Sequence, residues 1–126
     1  MKFMFTIYHD ENVLDAMPET QRQALVDSAI EYAEELRRSG HYIASDALQP
    51  ARTARTIRVR AGKVSTTAGP FAETTELLGG FFVIEAKDMD EACAIASRFP
   101  PARDGVIEVR PVRELQHSRD RRSLPN

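Results

Sequence analysis

Residues 79–86 read Gly79-Gly80-Phe81-Phe82-Val83-Ile84-Glu85-Ala86. The run 81–84 is apolar at odd and even positions alike, so both faces of an extended chain would be covered, which predicts a central strand. The glycine pair is expected to lead into it. Working back from there, Ala68-Gly69-Pro70-Phe71-Ala72-Glu73 reads as a constrained loop. Before it, 53–60 and 63–67 form a predicted hairpin turning at Ala61-Gly62, with Ile57 and Val59 on one face and Thr56, Arg58 and Arg60 on the other. Residues 41–48 suit a short strand running into Pro50. A long helix is expected at about 18–39, with Leu25, Ala29, Tyr32, Ala33 and Leu36 as its apolar stripe, Pro18 and Glu19 in its first turn and Gly40 after its end. Residues 2–8 alternate as a strand, and His9-Asp10-Glu11-Asn12 reads as a polar exit.

On the other side of the stretch, Asp88 and Glu91 have the spacing of a capping box. Ala92, Ile95, Ala96 and Phe99 then repeat at helical spacing, and Pro100-Pro101 stops the helix. Residues 106–115 read as the last strand, with Glu108 and Arg110 on one face. Residues 116–126 show no apolar period and read as a mobile basic tail behind a domain at 1–115. The order strand, helix, strand, hairpin, strand, helix, strand is an α+β, ferredoxin-like split βαβ plan with an inserted β-hairpin. Both helices would pack on one sheet face. The other face, semi-apolar, would meet a second copy, which predicts a homodimer.

The 126 residues, 42% hydrophobic and 29% charged, suit one globular domain. A formal net charge of −2 provides no global basic field, so direct nucleic-acid binding is not expected. Cys93 is the single cysteine, which excludes an intramolecular disulfide and fits a cytoplasmic protein. The N-terminal apolar stretch is too short for a membrane span.

For chemistry, Gly69, Pro70, Phe71 and Glu73 are the candidate ligand-binding loop, with Glu76 nearby and Arg55 and Arg110 as cations able to grip a carboxylate or phosphate. His9, beside Asp10, and His41 are candidate bases, with Glu73 or Glu76 as the orienting carboxylate. Either histidine could reach the sheet edge near the loop, and a His with a carboxylate is the minimal general-base arrangement. A solvated loop histidine is the commoner outcome for such positions. His117 lies in the tail. No metal site is expected, because no H-x-x-x-H, C-x-x-C or H-x-H spacing occurs, and nothing points to a cofactor. Cys93 reads as a packed helical thiol.

The stretch Thr67-Ala68-Gly69-Pro70-Phe71-Ala72-Glu73-Thr74, followed by Leu78-Gly79-Gly80-Phe81-Phe82-Val83-Ile84, resembles the signature of the YCII-related proteins of the DGPF type. The start Met1 to Tyr8, Leu36 to Gly40, Asp90-Glu91-Ala92 and Val106 to Val112 agree in order, so the resemblance covers about residues 1–115. It implies a bacterial, dimeric α+β barrel whose two sheets face each other. The association of such proteins with extracytoplasmic-function sigma factors implies a small-molecule-binding or regulatory module linked to transcription. The alternative it implies is a small-molecule enzyme using a His/carboxylate pair. Two departures weigh against the enzyme. Ala68 replaces the motif's aspartate, and an alanine can neither take a proton nor hold a metal. The helical histidine of the wider group is also missing from 18–39.

Overall fold

The computed structural model describes residues 1–100 and 105–119. In chain order the elements are β1 (Lys2–His9), α1 (Glu11–Ala16), α2 (Glu19–Arg38), β2 (Tyr42–Ala47), a 3₁₀ turn (Ala51–Thr53), β3 (Arg55–Arg60), β4 (Lys63–Ala68), β5 (Leu77–Glu85), α3 (Met89–Ser97) and β6 (Val106–Pro111). Four strands form an antiparallel sheet in the order β2-β5-β1-β6, and β3-β4 form a separate two-stranded sheet. This is the ferredoxin-like α+β arrangement with the hairpin inserted between the second and third strands of the main sheet.

β5 does lie in the middle, between β1 and β2. It begins earlier than the apolar run suggests, because Gly79 and Gly80 are part of the strand rather than its lead-in. Phe82 and Ile84 point into the core with Phe3, Phe5 and Ile7 of β1. Onto this face α2 lays Tyr32, Ala33 and Leu36, and α3 lays Ala92, Ile95 and Ala96. Both helices therefore cover the same face, as the apolar stripes require. Phe82 is the centre of an aromatic cluster: Phe5 stacks on it at 5.1 Å, and Tyr32 and Phe99 meet it edge-on at 5.5 and 5.4 Å. The Tyr32 hydroxyl donates to the Ile95 carbonyl at 2.5 Å, joining α2 to the end of α3. Burial pushes this phenol well above its ordinary value of 10.0, because the phenolate would lose its water.

The helix ends follow their chemistry. Pro18 is the N-cap of α2, one position before the first turn where the sequence places it, and Arg37 and Arg38 complement the helix dipole at the other end. At α3 the expected box residues cap the helix: Asp88 accepts from Glu91 N at 2.9 Å, and Glu91 accepts from Lys87 N, one residue before the cap, at 3.0 Å. Two expectations need correction. The segment after β1 is not merely a polar exit. Asp10 accepts from Asn12 N at 2.9 Å and starts α1, a helix too short and too weakly apolar to show a stripe. The last strand ends at Pro111, with one further bond from Val112 N to Lys2 O at 2.9 Å, and not at Leu115. The expected mobile tail falls, from residue 120 onward, outside the described residues, as does Pro101 of the helix stop.

The hairpin turns at Ala61-Gly62, both with positive φ (51° and 76°), between the facing pair Arg60 and Lys63. Two consecutive positive φ values match the right-handed twist of the flanking strands.

Candidate functional site

The loop between β4 and β5 is set by Gly69, whose φ of 99° lies where side chains are strongly disfavoured. Its backbone is held at both ends, since Gly69 N donates to Ala54 O at 2.8 Å and Thr56 Oγ1 donates to Gly69 O at 2.9 Å. Pro70 then stiffens the exit, and Phe71 leaves the loop under the Arg58 guanidinium, 5.4 Å from ring centroid to Cζ.

Opposite this loop runs the segment between β2 and β3. Leu48 N donates to Gly79 O at 2.8 Å, which holds the segment against the start of β5. Ala51 N donates to Glu11 Oε2 at 2.8 Å, so α1, which the sequence pattern does not reveal, braces this wall. Between the two segments and the β1–β5 end of the sheet lies a cavity of about 620 Å³. Leu48, Pro50, Pro70, Phe71, Leu77 and Leu78 give it an apolar wall, and the Tyr8 phenol and Glu76 carboxylate add polar groups. The volume is that of a small-molecule site.

His9 follows Tyr8 in the chain but is not itself among the residues lining this cavity. The β1–β5 register slips between Ile7 and Tyr8, which skips Gly79. A Cβ at Gly79 would stand 2.1 Å from His9 Cε1 and under 3 Å from both ring nitrogens. The imidazole therefore rests on bare backbone. A glycine inside a strand pattern is the sequence signal for such a bulge and close approach. Among the described residues the His9 ring has no hydrogen-bond partner, and the adjacent Asp10 carboxylate is engaged by Asn12.

The other candidates scatter. His41 sits at the opposite end of the sheet: its Nδ1 lies 2.8 Å from Glu85 O, eight residues along β5 from Leu77. That is about 27 Å of extended chain, so within one protomer His41 is not the histidine that could reach the loop. Its Nδ1 faces a carbonyl, so that nitrogen carries the proton. Glu73 is exposed and stands outside the cavity lining, where Glu76 is present instead. Arg55 faces Ala68 at the base of the hairpin, and it is Arg58 that meets Phe71. Arg110 pairs with Glu108 at 3.0 Å on its own strand, opposite Met4, about 13 Å along β1 from Tyr8. The structure thus brings Pro70 and Phe71 to one site, with Gly69 setting the turn before them, and leaves His9, His41, Glu73, Arg55 and Arg110 out of its lining. Tyr8, Leu48 and Pro50 join the lining without having been named as site residues. Tyr8 carried a usable signal, as the last open-face residue of the first strand. Among the described residues no three His, Cys, Asp or Glu side chains gather as a metal site would need, and no helix is long and apolar enough to cross a membrane.

Comparison with known proteins agrees with the architecture. A curated relative, an uncharacterised protein of Rhizobium meliloti (strain 1021), is 31% identical over 114 residues, covering 89% of this chain and 92% of the relative. The family model for the YCII-related domain matches residues 1–116, and the chain belongs to the YCII-related family.

Proposed function

We propose that this protein is a dimeric small-molecule-binding module, with a regulatory role tied to transcription, whose ligand enters the cavity under the Gly69–Phe71 loop. The observation that carries the reading is the cavity itself, about 620 Å³ with an apolar wall and polar groups from Tyr8 and Glu76. Such a wall selects a compact, mostly apolar molecule, and the phenol and carboxylate would orient one hydrogen-bonding end of it. The regulatory link rests on the sigma-factor association that the sequence resemblance implies. Dimerisation rests on the open sheet face, where Met4, Thr6, Tyr8, Phe81 and Val83 are partly exposed and, among the described residues, both long helices pack on the opposite face.

The test uses the dye 1-anilinonaphthalene-8-sulfonate, whose fluorescence rises in apolar sites. The expected result is saturable binding of one dye per protomer, weakened at least tenfold by Ala54→Trp, which fills the cavity. Binding that survives Ala54→Trp, or that never saturates, refutes the cavity as a ligand site.

One observation favours a second reading, a small-molecule enzyme. His9 follows the cavity-lining Tyr8 in the chain, and its imidazole is half-buried with both nitrogens uncommitted among the described residues. A base needs that freedom, but no described carboxylate is hydrogen-bonded to orient the ring. This reading requires His9→Ala to leave dye affinity intact while abolishing turnover of a ligand found for the cavity.

A further inference from the structure

We infer that the ligand of the cavity under the Gly69–Phe71 loop is a compact apolar amine, bound as its ammonium with the charged end on Glu76. This rests on the cavity being a ligand site, as proposed above, and adds the chemical class of what fills it.

Among the described residues, Glu76 is the one charged side chain that lines the cavity. It is half-buried, and no hydrogen bond or ion pair reaches its carboxylate among the described residues. Its backbone is held, because Thr74 Oγ1 donates to Glu76 O at 2.5 Å, so the turn that carries the side chain is fixed. A carboxylate drawn partly out of water without a partner is costly, and a cation that donates hydrogen bonds to it offsets that cost best. An alkylamine titrates like a lysine side chain, at about 10.4, and so carries the required charge at neutral pH.

The donors that an anion would need are spent along the β2–β3 wall. Leu48 N donates to Gly79 O, Ala51 N to Glu11 Oε2, Thr53 N to Pro50 O and Ala54 N to Ala51 O, and Pro50 has no N–H. The Thr53 hydroxyl is turned to Pro50 O at 2.7 Å, as that of Thr74 is to Glu76 O. The side-chain donors left in the described lining, the Tyr8 phenol and the Gln49 amide, are neutral. Three cations stand near the cavity but outside its lining. Arg52 and Arg55 are exposed, where salt screens them, and Arg58 lies over the Phe71 ring. That ring already has a cation as its partner, which leaves Glu76 to hold the ligand's charge. The body of the ligand faces Leu48, Pro50, Pro70 and Leu77, whose side chains offer it contact and no hydrogen bonds.

The experiment is isothermal titration calorimetry of the full chain with three probes of similar shape and different charge: 2-phenylethylamine, 2-phenylethanol and phenylacetate. The amine should bind at least about tenfold more tightly than the alcohol, as a charge-assisted hydrogen bond predicts, and phenylacetate more weakly than the alcohol. Glu76→Gln keeps the shape of the side chain and should erase the amine's advantage. Glu73→Gln alters an exposed carboxylate outside the lining and should leave that advantage intact. Glu76→Gln should also tighten binding of the anionic dye used above, a gain that a merely damaged cavity would not give. Dye binding that Ala54→Trp blocks, with an amine no tighter than the alcohol or an advantage that survives Glu76→Gln, overturns the ammonium and leaves the cavity a ligand site. Phenylacetate as the tightest of the three overturns it too and assigns recognition to the neighbouring arginines. A cavity that takes neither the dye nor any probe overturns both readings together.

Discussion

Gly79→Ala isolates the packing that seats His9. Gly79 lies outside the left-handed backbone region, so alanine is permitted there by φ. What forbids it is the imidazole, with Cε1 2.1 Å from the added Cβ and the two ring nitrogens at 2.7 and 2.8 Å. Ordinary contact begins at about 3.4 Å, and three ring atoms are too close together, so swinging one end of the ring does not relieve the clash. The whole imidazole must leave its seat or β5 must shift. Overpacking of this kind costs about 1–3 kcal/mol. In a His9→Ala background the clash is gone, and Gly→Ala then removes freedom only from the unfolded chain, a stabilisation of about 0.4–1 kcal/mol. The substitution should therefore change sign between backgrounds, with a coupling of about 2 kcal/mol. Urea unfolding of the wild type, both single variants and the double variant measures this, provided the dependence on urea stays constant across the four. An equal cost in both backgrounds would refute the seat and attribute the glycine to backbone geometry alone.

Further outcomes follow from the core, the capping box and the hairpin. Tyr32→Phe removes the bond to Ile95 O and should cost about 1 kcal/mol near neutral pH. The phenol's raised value means the fold holds its proton after the unfolded chain has released it, so this group's stabilisation is complete below pH 10.0 and declines above it. Wild-type stability should consequently fall more steeply above that pH than that of Tyr32→Phe, and parallel curves would exclude the burial argument. Asp88→Ala breaks the capping box of α3 and should cost about 1 kcal/mol in urea unfolding; a change under about 0.3 kcal/mol would mean the helix is held by its apolar face alone. Ala68→Asp restores the motif residue directly opposite Arg55, where a cross-strand pair should add about 0.2–1 kcal/mol and leave dye affinity unchanged. A tenfold change in dye affinity would instead place position 68 in the cavity.

Where periodicity was strong, the fold was legible. The alternation of Phe3, Phe5 and Ile7 and the stripe Tyr32, Ala33, Leu36 each report one buried face, and both lie in the core. α1 was invisible because six residues with no buried side chain leave no stripe, and only Asp10 could have announced it as a cap. The boundary of β5 was misplaced because glycine reads as a breaker, whereas here its missing Cβ is what the strand uses. The site was legible only in its local part. Gly69, Pro70 and Phe71 stand out as a constrained run, but Leu48, Pro50 and Tyr8 come from three other places in the chain. Their convergence depends on strand order and register, which no single segment encodes. The distance between His41 and the loop is set the same way, by its place at the far end of β5.

The Gly69–Phe71 loop belongs to two surfaces at once. Phe71 lines the cavity, yet it is 78% exposed and held by Arg58 of the hairpin. Gly69 is bonded through both its N–H and its carbonyl to Ala54 and Thr56, at the hairpin's first strand. Loop and hairpin strand are thus joined by two hydrogen bonds and one ring contact, none of which involves the side chain at position 68. The turn at Gly69 and the contact of Phe71 need no proton-transferring group, so an alanine in place of the motif's aspartate leaves both standing.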